Sequence, residues 1–291
     1  MQLSVVIITH NEEANLGRTL ASVAPLVRDG QGEIIVLDSG STDRTVEIAR
    51  QHGAKVFIEP WKGFAAQKNS AIEKAGGDWI LSLDADEEVE PDLCRALTDT
   101  LDGIWNLQRI QSDPGAHPFT VEDSKSDVSY HTGAPGVPSA LWIPRKNYFL
   151  GRWMKHGGFW PDPKLRLFQR GTARFENRAV HEDARTSGPT RTIRYGSLLH
   201  HSYPTLGDYI EHMNRYSSLG AERAGPRAFS LINIVLRPLA TFLYNYFFRL
   251  GFLDGREGLL LHLYHAVYVS WKYAKAWELR KGSRESRVNS Q

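Results

Sequence analysis

Two aspartates that flank a single small residue follow the last of four short apolar runs in the chain. They lie in residues 84–87, Asp-Ala-Asp-Glu, directly after the run at 80–83. Carboxylates at this spacing can hold a hard divalent cation, with water and the oxygens of a diphosphate completing its coordination. Because an isolated Asp-x-Asp also occurs in many solvated turns, its place at a strand end is what indicates a site for Mg²⁺ or Mn²⁺.

Further polar residues follow the earlier runs. Thr9 and Glu12 come after the first run and Asp38 after the second. The carboxyl ends of neighbouring parallel strands meet at one edge of a doubly wound sheet, so these residues and Asp84 are expected to line one crevice and to hydrogen-bond a base and a ribose. Taken singly, Asp38 could simply form a turn and Glu12 a favourable helix start.

The first hundred residues alternate strand and helix patterns. The apolar runs contain almost no polar residue, which is typical of strands buried on both faces, and right-handed βαβ units would join them. The fold class predicted is therefore α/β, an open, mostly parallel sheet. Strands are predicted at 3–8, 33–37, 55–58 and 79–83, and helices at 15–24, up to His52 and at 65–75.

The second half of the chain has a different character. Residues 109–138 are polar and contain four prolines, which predicts an inserted loop or lid. Residues 141–203 are rich in Trp, Arg, His and Gly, and the pattern beyond Thr205 is helical. We therefore predict a catalytic domain at 1–205 and a helical C-terminal extension at 206–291.

The charge balance is uneven along the chain. The whole sequence has 35 Lys and Arg against 33 Asp and Glu, but residues 229–291 hold nine basic and four acidic residues. A single cysteine, Cys94, excludes an intrachain disulfide and favours a reducing compartment. The first residues lack a basic region and a cleavage site, so no secretory signal is expected. Basic residues that alternate with bulky apolar ones do not indicate nucleic-acid binding.

The apolar stretches 229–250 and 257–279 are long enough to span a membrane. Charged residues, a proline and two histidines interrupt them, and each charge would cost about 2.5–3.5 kcal/mol at the centre of a bilayer. Helices that lie on the surface of the inner membrane fit this composition better, although a helical hairpin packed on the protein or on a second subunit would also bury them. The interrupting residues are Arg237, Pro238, His262, His265, Lys272 and Lys275.

Three ordered segments, residues 4–12, 36–45 and 83–87, resemble the family 2 glycosyltransferases with the GT-A fold. Later segments look like the lipopolysaccharide-core glucosyltransferase branch of that family, and against this branch residues 109–138 look inserted. These later segments are 145–153, 157–168, 180–182, 198–204 and 253–256.

The resemblance implies an inverting enzyme that uses a nucleotide-diphospho-sugar, most often a UDP-sugar, with Mg²⁺ or Mn²⁺. By position in the motifs, Thr9, Glu12 and Asp38 would contact the uridine. Asp84 would lie near the ribose and phosphates, and Asp86 would bind the metal ion. Lys68 and Asn69 are further candidates for contacts with the nucleotide, but they could equally belong to the solvated face of a helix.

Inversion requires a base that deprotonates the acceptor hydroxyl as it attacks the anomeric carbon. Glu182 falls where the family carries its acidic base, and Asp183 is the second choice. The alternative for Glu182 is a surface ion pair with Arg174, Arg178 or Arg185. One of His181, His200 and His201 could complete the metal ligands, although a lone histidine is more often a hydrogen-bonded structural residue.

Other basic and aromatic residues have two readings each. Lys164, Arg166 and Arg170 could neutralise a diphosphate or form the wet face of a strand. Three aromatic side chains could stack on a sugar or pack in the core; they are Trp153, Phe159 and Trp160.

The sequence thus predicts a hexosyltransferase, with glucose from UDP-glucose as donor and a lipopolysaccharide-core or other lipid-linked glycan as acceptor. It would be peripheral on the cytoplasmic face of the inner membrane. Transfer to a polyprenyl phosphate, or a catalytically silent sugar-binding scaffold, are the alternatives.

Overall fold

The computed structural model describes residues 3–30, 32–112, 128–129, 137–176, 183–224 and 229–288. Contacts between Cα atoms divide the chain into two compact units. The first unit is formed by Met1–Arg145, Asp162–Arg178 and Glu182–His200, and the second by Lys146–Pro161, Ala179–His181 and His201–Gln291. The domain boundary expected at residue 205 stays a prediction, and the two units are described separately.

The first unit begins with the alternation that the apolar runs predict. Its elements are β1 (Leu3–Thr9), α1 (Leu16–Val23), a 3₁₀ segment (Ala24–Gly30), β2 (Gly32–Asp38), α2 (Thr45–Gln51), β3 (Lys55–Ile58), α3 (Phe64–Glu73) and β4 (Trp79–Asp84). Strand β1 pairs in parallel with both β2 and β4, and β2 pairs in parallel with β3. The predicted open α/β sheet is confirmed in this half of the unit.

The chain continues through shorter strands. They are β5 (Glu87–Val89), β6 (Val128–Ser129), β7 (Ala140–Ile143), β8 (Arg145–Phe149), β9 (Arg152–Trp153), β10 (Lys164–Gln169), β11 (Ala173–Phe175), β12 (Ala184–Thr186), β13 (Thr190–Ile193) and β14 (Leu198–Tyr203), with α4 (Pro91–Ser112) between β5 and β6. Strand β10 runs antiparallel to β4 and β7 and extends the sheet to the order β3-β2-β1-β4-β10-β7-β13-β6. The sheet is therefore mixed beyond β4.

Both faces of this sheet are covered by apolar side chains. In β1, Val5 and Ile7 belong to one buried cluster and Val6 to another. Successive side chains of a strand point to opposite faces, so both faces of β1 are buried. This explains why the strand sequence contains no regular polar alternation.

The second unit is built around two packed helices, α5 (Leu206–Glu222) and α7 (Gly255–Val288). The Thr205 hydroxyl and the Asp208 carboxylate cap the start of α5 reciprocally. Lys275 Nζ of α7 donates to Asn214 O at 2.7 Å and to Ser217 Oγ at 2.8 Å in α5. Between the helices lie a π-helical turn (Ile232–Leu236), α6 (Arg237–Leu243), a second π-helical turn (Tyr244–Phe248) and a 3₁₀ turn (Gly251–Asp254).

A buried carboxylate fixes the turn before α7. Asp254 Oδ2 accepts from the backbone N–H of His156 at 2.8 Å, and its Oδ1 lies 2.8 Å from His156 Nδ1. Phe149, Met154 and Leu261 form a buried apolar cluster in the same unit. Within the described part of the chain, no helix has both the length and the apolar character that crossing a membrane requires.

The predicted insertion at 109–138 falls mostly outside the described residues. At its edges, the chain to Ser112 completes α4, and Val128–Ser129 pairs with β13 as β6. The prediction of a lid between them stays a prediction.

Gly196 sits where only a glycine fits, in the turn that leads into β14 and thus to His200. Its φ is +77°, and an added Cβ would lie 2.1 Å from the backbone nitrogen of Leu93. We expect Gly196→Ala to lower the free energy of unfolding by about 2–5 kcal/mol, from left-handed strain and overpacking together.

Gly53→Ala is the matched control for this substitution. Gly53 has a φ of +75°, but an added Cβ there meets nothing within 4 Å. Only the backbone strain of about 1–2 kcal/mol should remain. Urea unfolding of the two variants would measure the difference, and equal losses would contradict the role of the Leu93 contact.

Candidate active site

The strand ends meet as the sequence predicts. In the sheet register Thr9 lies beside Asp38, and Ile8 beside Asp84, so the carboxyl ends of β1, β2 and β4 form one edge. The Thr9 hydroxyl donates to Asp38 Oδ1 at 2.9 Å. The structure therefore brings together residues that the sequence separates by 75 positions, where a crevice is expected in a parallel sheet.

Asp38 is fully buried and its carboxylate is already satisfied. Oδ2 accepts the backbone N–H groups of Gly40 at 2.9 Å and Ser41 at 2.8 Å, and Oδ1 accepts the Ser41 hydroxyl at 2.5 Å. The turn-forming role that its residue type allows is thus present. A ligand that bonds to Asp38 would have to replace one of these donors, and the Ser41 hydroxyl can rotate away.

The pKa of Glu12 reports the negative charge that surrounds it in the crevice. Its Oε2 accepts from Asn15 Nδ2 at 2.9 Å. Burial raises the pKa of Glu12, and the negative charges of Asp86, Asp43 and Asp84 raise it further. Excess negative charge is therefore concentrated at this sheet edge, and a cation placed there would relieve it.

Asp84 is held between two buried cations. Lys68 Nζ lies 2.6 Å from Asp84 Oδ1, and Arg166 Nη2 lies 2.5 Å from Oδ2. Burial alone would raise the pKa of Asp84, but Arg166 and Lys68 hold it well below its usual range. Asp84 thus stays ionised. The alternatives of a solvated helix face for Lys68 and a wet strand face for Arg166 are wrong, because both side chains are buried.

The network extends to residues that sequence reasoning missed. Glu87 is 0% exposed, and its Oε1 accepts from Arg166 Nη2 at 2.7 Å and from Arg145 Nη1 at 3.0 Å. Arg145 Nη2 also pairs with Asp162 Oδ2 at 2.7 Å. Glu87 Oε2 accepts the backbone N–H of Asp84 at 3.1 Å, which closes the turn of the Asp-x-Asp motif. The only signal in the sequence was the acidic residue directly after that motif.

Asp86 differs from Asp84, since its charge partner is a histidine. His200 Nε2 lies 3.3 Å from Asp86 Oδ2. Burial opposes ionisation of Asp86, but the charge and hydrogen bond of His200 lower its pKa overall. Carboxylate oxygen and imidazole nitrogen are both ligands for Mn²⁺-like ions.

The donor set fits a metal ion that receives further ligands from its substrate. Among the described residues, no three His, Cys, Asp or Glu side chains form a group that could hold a metal alone. Asp86 and His200 supply two donors, and diphosphate oxygens and water can supply the others. His181, the other histidine considered as a ligand, lies outside the described residues, as does the base candidate Glu182.

The remaining candidates have varied surroundings. Asp183 is exposed and directly precedes β12. Asn69 uses both ends of its amide on the backbone of Phe175, at 2.9 and 3.0 Å, which ties α3 to β11. Arg185, one of the arginines considered as a partner for Glu182, pairs with Glu176 at 3.0 Å.

The strand cations beside Arg166 are less buried than it is. Lys164 pairs with Asp162 at 3.0 Å, and Arg170 is exposed. In the second unit, the Trp153 and Trp160 rings meet edge to face at 5.3 Å, while the Phe159 ring packs at the edge of the apolar cluster. Both Lys146 Nζ and Lys155 Nζ lie within 5 Å of the Trp153 ring centre.

Comparison with known proteins identifies the first part of the chain. Residues 4–111 match the family model of glycosyl transferase family 2. This segment is a family 2 glycosyltransferase domain. It contains Thr9, Glu12, Asp38, Lys68 and both aspartates of the Asp-x-Asp motif. The geometry described above therefore lies largely within this domain.

Two relatives match different shares of the chain. The lipopolysaccharide core biosynthesis glycosyltransferase LpsC of Rhizobium meliloti is 28% identical over 294 residues, covering 96% of this chain and 93% of LpsC. An uncharacterized glycosyltransferase of Rickettsia felis is 48% identical over 92 residues, which are 32% of this chain and 31% of that protein.

Among solved structures, the chain is similar to glucosyl-3-phosphoglycerate synthase from Mycobacterium tuberculosis, crystallised with Mn²⁺, UDP and glucosyl-3-phosphoglycerate. The identity is 29%, the match covers 35% of this chain and 39% of that chain, and the TM-score is 0.30.

Glu87→Gln should destabilise the fold strongly, because it leaves Arg166 and Arg145 without their shared buried carboxylate. Breaking a buried ion pair from one side costs about 3–5 kcal/mol. Asp92→Asn is the control, since Asp92 pairs with Arg95 on the surface and should cost less than about 1 kcal/mol. Chemical denaturation measures both, and a loss for Glu87→Gln as small as that of the control would contradict the role assigned to Glu87.

Proposed function

We propose that this chain is an inverting, metal-dependent glycosyltransferase that transfers a hexose, glucose from UDP-glucose, to a lipopolysaccharide-core or other lipid-linked glycan. The observation that carries the proposal is the pairing of Asp86 with His200 at the carboxyl edge of the family 2 sheet, beside the fixed carboxylate of Asp84. The proposal assigns the nucleoside to the ends of β1 and β2 and the cation to Asp86 and His200.

In this proposal the donor lies along the strand ends. Thr9, Glu12 and Asp38 contact the uridine, and Asp84 lies near the ribose and phosphates. The buried ammonium of Lys68 keeps Asp84 ionised and oriented. Asn69, whose amide is bonded to Phe175, holds α3 in place and thereby positions Lys68.

Asp86 and His200 would hold Mg²⁺ or Mn²⁺. The ion would neutralise the diphosphate and so stabilise it as a leaving group. Asp86 suits this role because its Oδ2 lies 3.3 Å from His200 Nε2, which brings the two donors together. His181 is proposed as a further ligand on its sequence position alone.

Glu182 is proposed as the base, with Asp183 as second choice. A carboxylate takes the proton of the acceptor hydroxyl while that oxygen bonds to the anomeric carbon. The bond from the anomeric carbon to the diphosphate breaks on the opposite face, the electron pair leaves with UDP, and the configuration inverts.

The acceptor class rests on the similarity to LpsC along nearly the whole chain. A lipid-linked acceptor requires the enzyme to work at a membrane, so we propose a peripheral protein on the cytoplasmic face of the inner membrane. In cells that lack the protein, a truncated core oligosaccharide would support this acceptor. Loss of a polyprenyl-linked sugar would instead support transfer to a polyprenyl phosphate.

Asp86→Asn and His200→Ala should each lower Mn²⁺-dependent UDP release from UDP-glucose by at least about 100-fold, since a catalytic metal ion contributes several kcal/mol to transition-state stabilisation. The measurement is UDP formation against Mn²⁺ concentration, with Asp92→Asn as control. A chelator should abolish the wild-type activity. Full activity of both variants in the presence of a chelator would contradict the metal site.

Glu182→Gln should lower glycosyl transfer about 100- to 10,000-fold, as expected for loss of a general base, while UDP binding stays unchanged. Asp183→Asn is the matched neighbour and should retain most activity. If Asp183→Asn alone abolished transfer, the base would be Asp183 and the first choice would be wrong.

A further inference from the structure

The second unit has a broad apolar surface that the proposed catalytic chemistry does not require. Along residues 231–248, exposed apolar side chains recur every four residues in two adjacent rows, and Phe248 at its end is 80% exposed. One row is Leu231, Val235, Leu239, Leu243 and Phe247, and the other is Ile232, Leu236, Ala240, Tyr244 and Phe248. We call these two rows the apolar face.

The backbone keeps these rows on one side. In an α-helix, four residues exceed a full turn by about 40°, so a row spaced by four winds around the helix. A π-helical turn contains more residues, so four residues there fall short of a turn. Here π-helical Ile232–Leu236 and Tyr244–Phe248 flank α-helical Arg237–Leu243, and the opposite drifts offset one another along the segment.

The other side of the same segment is occupied by α7. Ser270 Oγ donates to Ile234 O at 3.0 Å, the Arg237 guanidinium donates to the Tyr273 hydroxyl, and Pro238 is buried. The apolar face is therefore what remains after the segment has packed within its own unit.

The charges carried by the segment at residues 229–253 are of one sign. Residues 229–253 contain no Asp or Glu, and their two charged side chains, Arg237 and Arg249, are exposed. Each lies near a tyrosine ring, Arg237 at 5.3 Å from Tyr273 and Arg249 at 5.9 Å from Tyr244. Cations beside amphipathic rings at the edge of an apolar surface are typical of segments that lie in the headgroup region of a membrane.

We propose that the apolar face docks on an anionic lipid bilayer, with both rows inserted at the boundary between headgroups and acyl chains and Arg249 paired with a lipid phosphate. The proposal builds on the lipid-linked acceptor of the proposed function and names the surface that reaches it.

A second copy of the chain fits this surface less well. Two copies that met symmetrically through the apolar face would bring identical patches together, and no carboxylate of residues 229–253 could pair with their arginines. Anionic headgroups supply the missing charge, and each basic residue near such a surface strengthens binding about fivefold.

Sedimentation with vesicles of phosphatidylglycerol and phosphatidylcholine tests the proposal on the full chain. The wild type should bind, and Leu239→Asn with Leu243→Asn should weaken binding about 100-fold, at roughly tenfold for each apolar side chain. Circular dichroism confirms that the variant is folded.

A matched pair separates the apolar face from general surface hydrophobicity. Ile232, on the face, and Ile58, on β3 of the first unit, are both 61% exposed. Ile232→Asn should weaken vesicle binding about tenfold, and Ile58→Asn should leave it unchanged. Equal effects of the two substitutions would overturn the proposal.

The charge argument has its own measurement. Arg249→Gln should lower affinity for anionic vesicles about fivefold and leave affinity for pure phosphatidylcholine unchanged. If the wild type were a dimer by sedimentation velocity, Leu239→Asn with Leu243→Asn made it monomeric, and neither bound vesicles, the face would be a self-association surface and the proposal would be wrong.

The two proposals fail separately. The apolar-face variant should release UDP from UDP-glucose in solution at the wild-type rate, while Asp86→Asn should bind vesicles like the wild type. Loss of vesicle binding in Asp86→Asn would contradict the assignment to the apolar face. Absence of UDP release in every protein, with vesicle binding intact, would contradict the proposed function alone.

Discussion

One buried guanidinium organises the candidate active site. Arg166 is 5% exposed, and a charge so buried is tolerated only with close and well-oriented partners. Asp84 and Glu87 provide them at 2.5 and 2.7 Å. Because Arg166 stands on β10 and its partners on β4 and β5, the pairing fixes the turn of the Asp-x-Asp motif against a strand from a distant part of the chain.

This pairing gives the two aspartates of the motif different roles. Asp84 is neutralised by Lys68 and Arg166 within the protein, whereas the nearest charge partner of Asp86 is His200, with Nε2 at 3.3 Å from Oδ2. The raised pKa of Glu12 reflects burial and the carboxylates that remain nearby. This difference supports the proposal that the divalent cation binds at Asp86, because Asp84 is already neutralised within the protein.

The parts of this arrangement that follow from local pattern could be predicted. Apolar runs gave β1 to β4, and the rule that parallel strand ends adjoin brought Thr9, Asp38 and Asp84 together. The buried cations could not be predicted in this way. Lys68 and Arg166 lie where polar residues usually meet solvent, and only the tertiary pairing with Asp84, across 82 positions for Arg166, makes their burial favourable. The π-helical turns could not be predicted either, because the period of 3.6 residues that identifies an α-helix does not apply to them.

The two proposed ligand sites differ in how strongly salt screens their charges. Charges in the crevice are buried and meet partners at close range, where salt screens them little, whereas Arg249 is exposed to an ionic atmosphere that screens over about 8 Å at physiological salt. Insertion of the apolar face is not electrostatic and is strengthened by excluded salts. Salt should therefore remove the part of the vesicle affinity that depends on charge and leave a residual affinity set by the apolar rows. The affinity for the donor should fall less with salt than this charge-dependent part of the vesicle affinity.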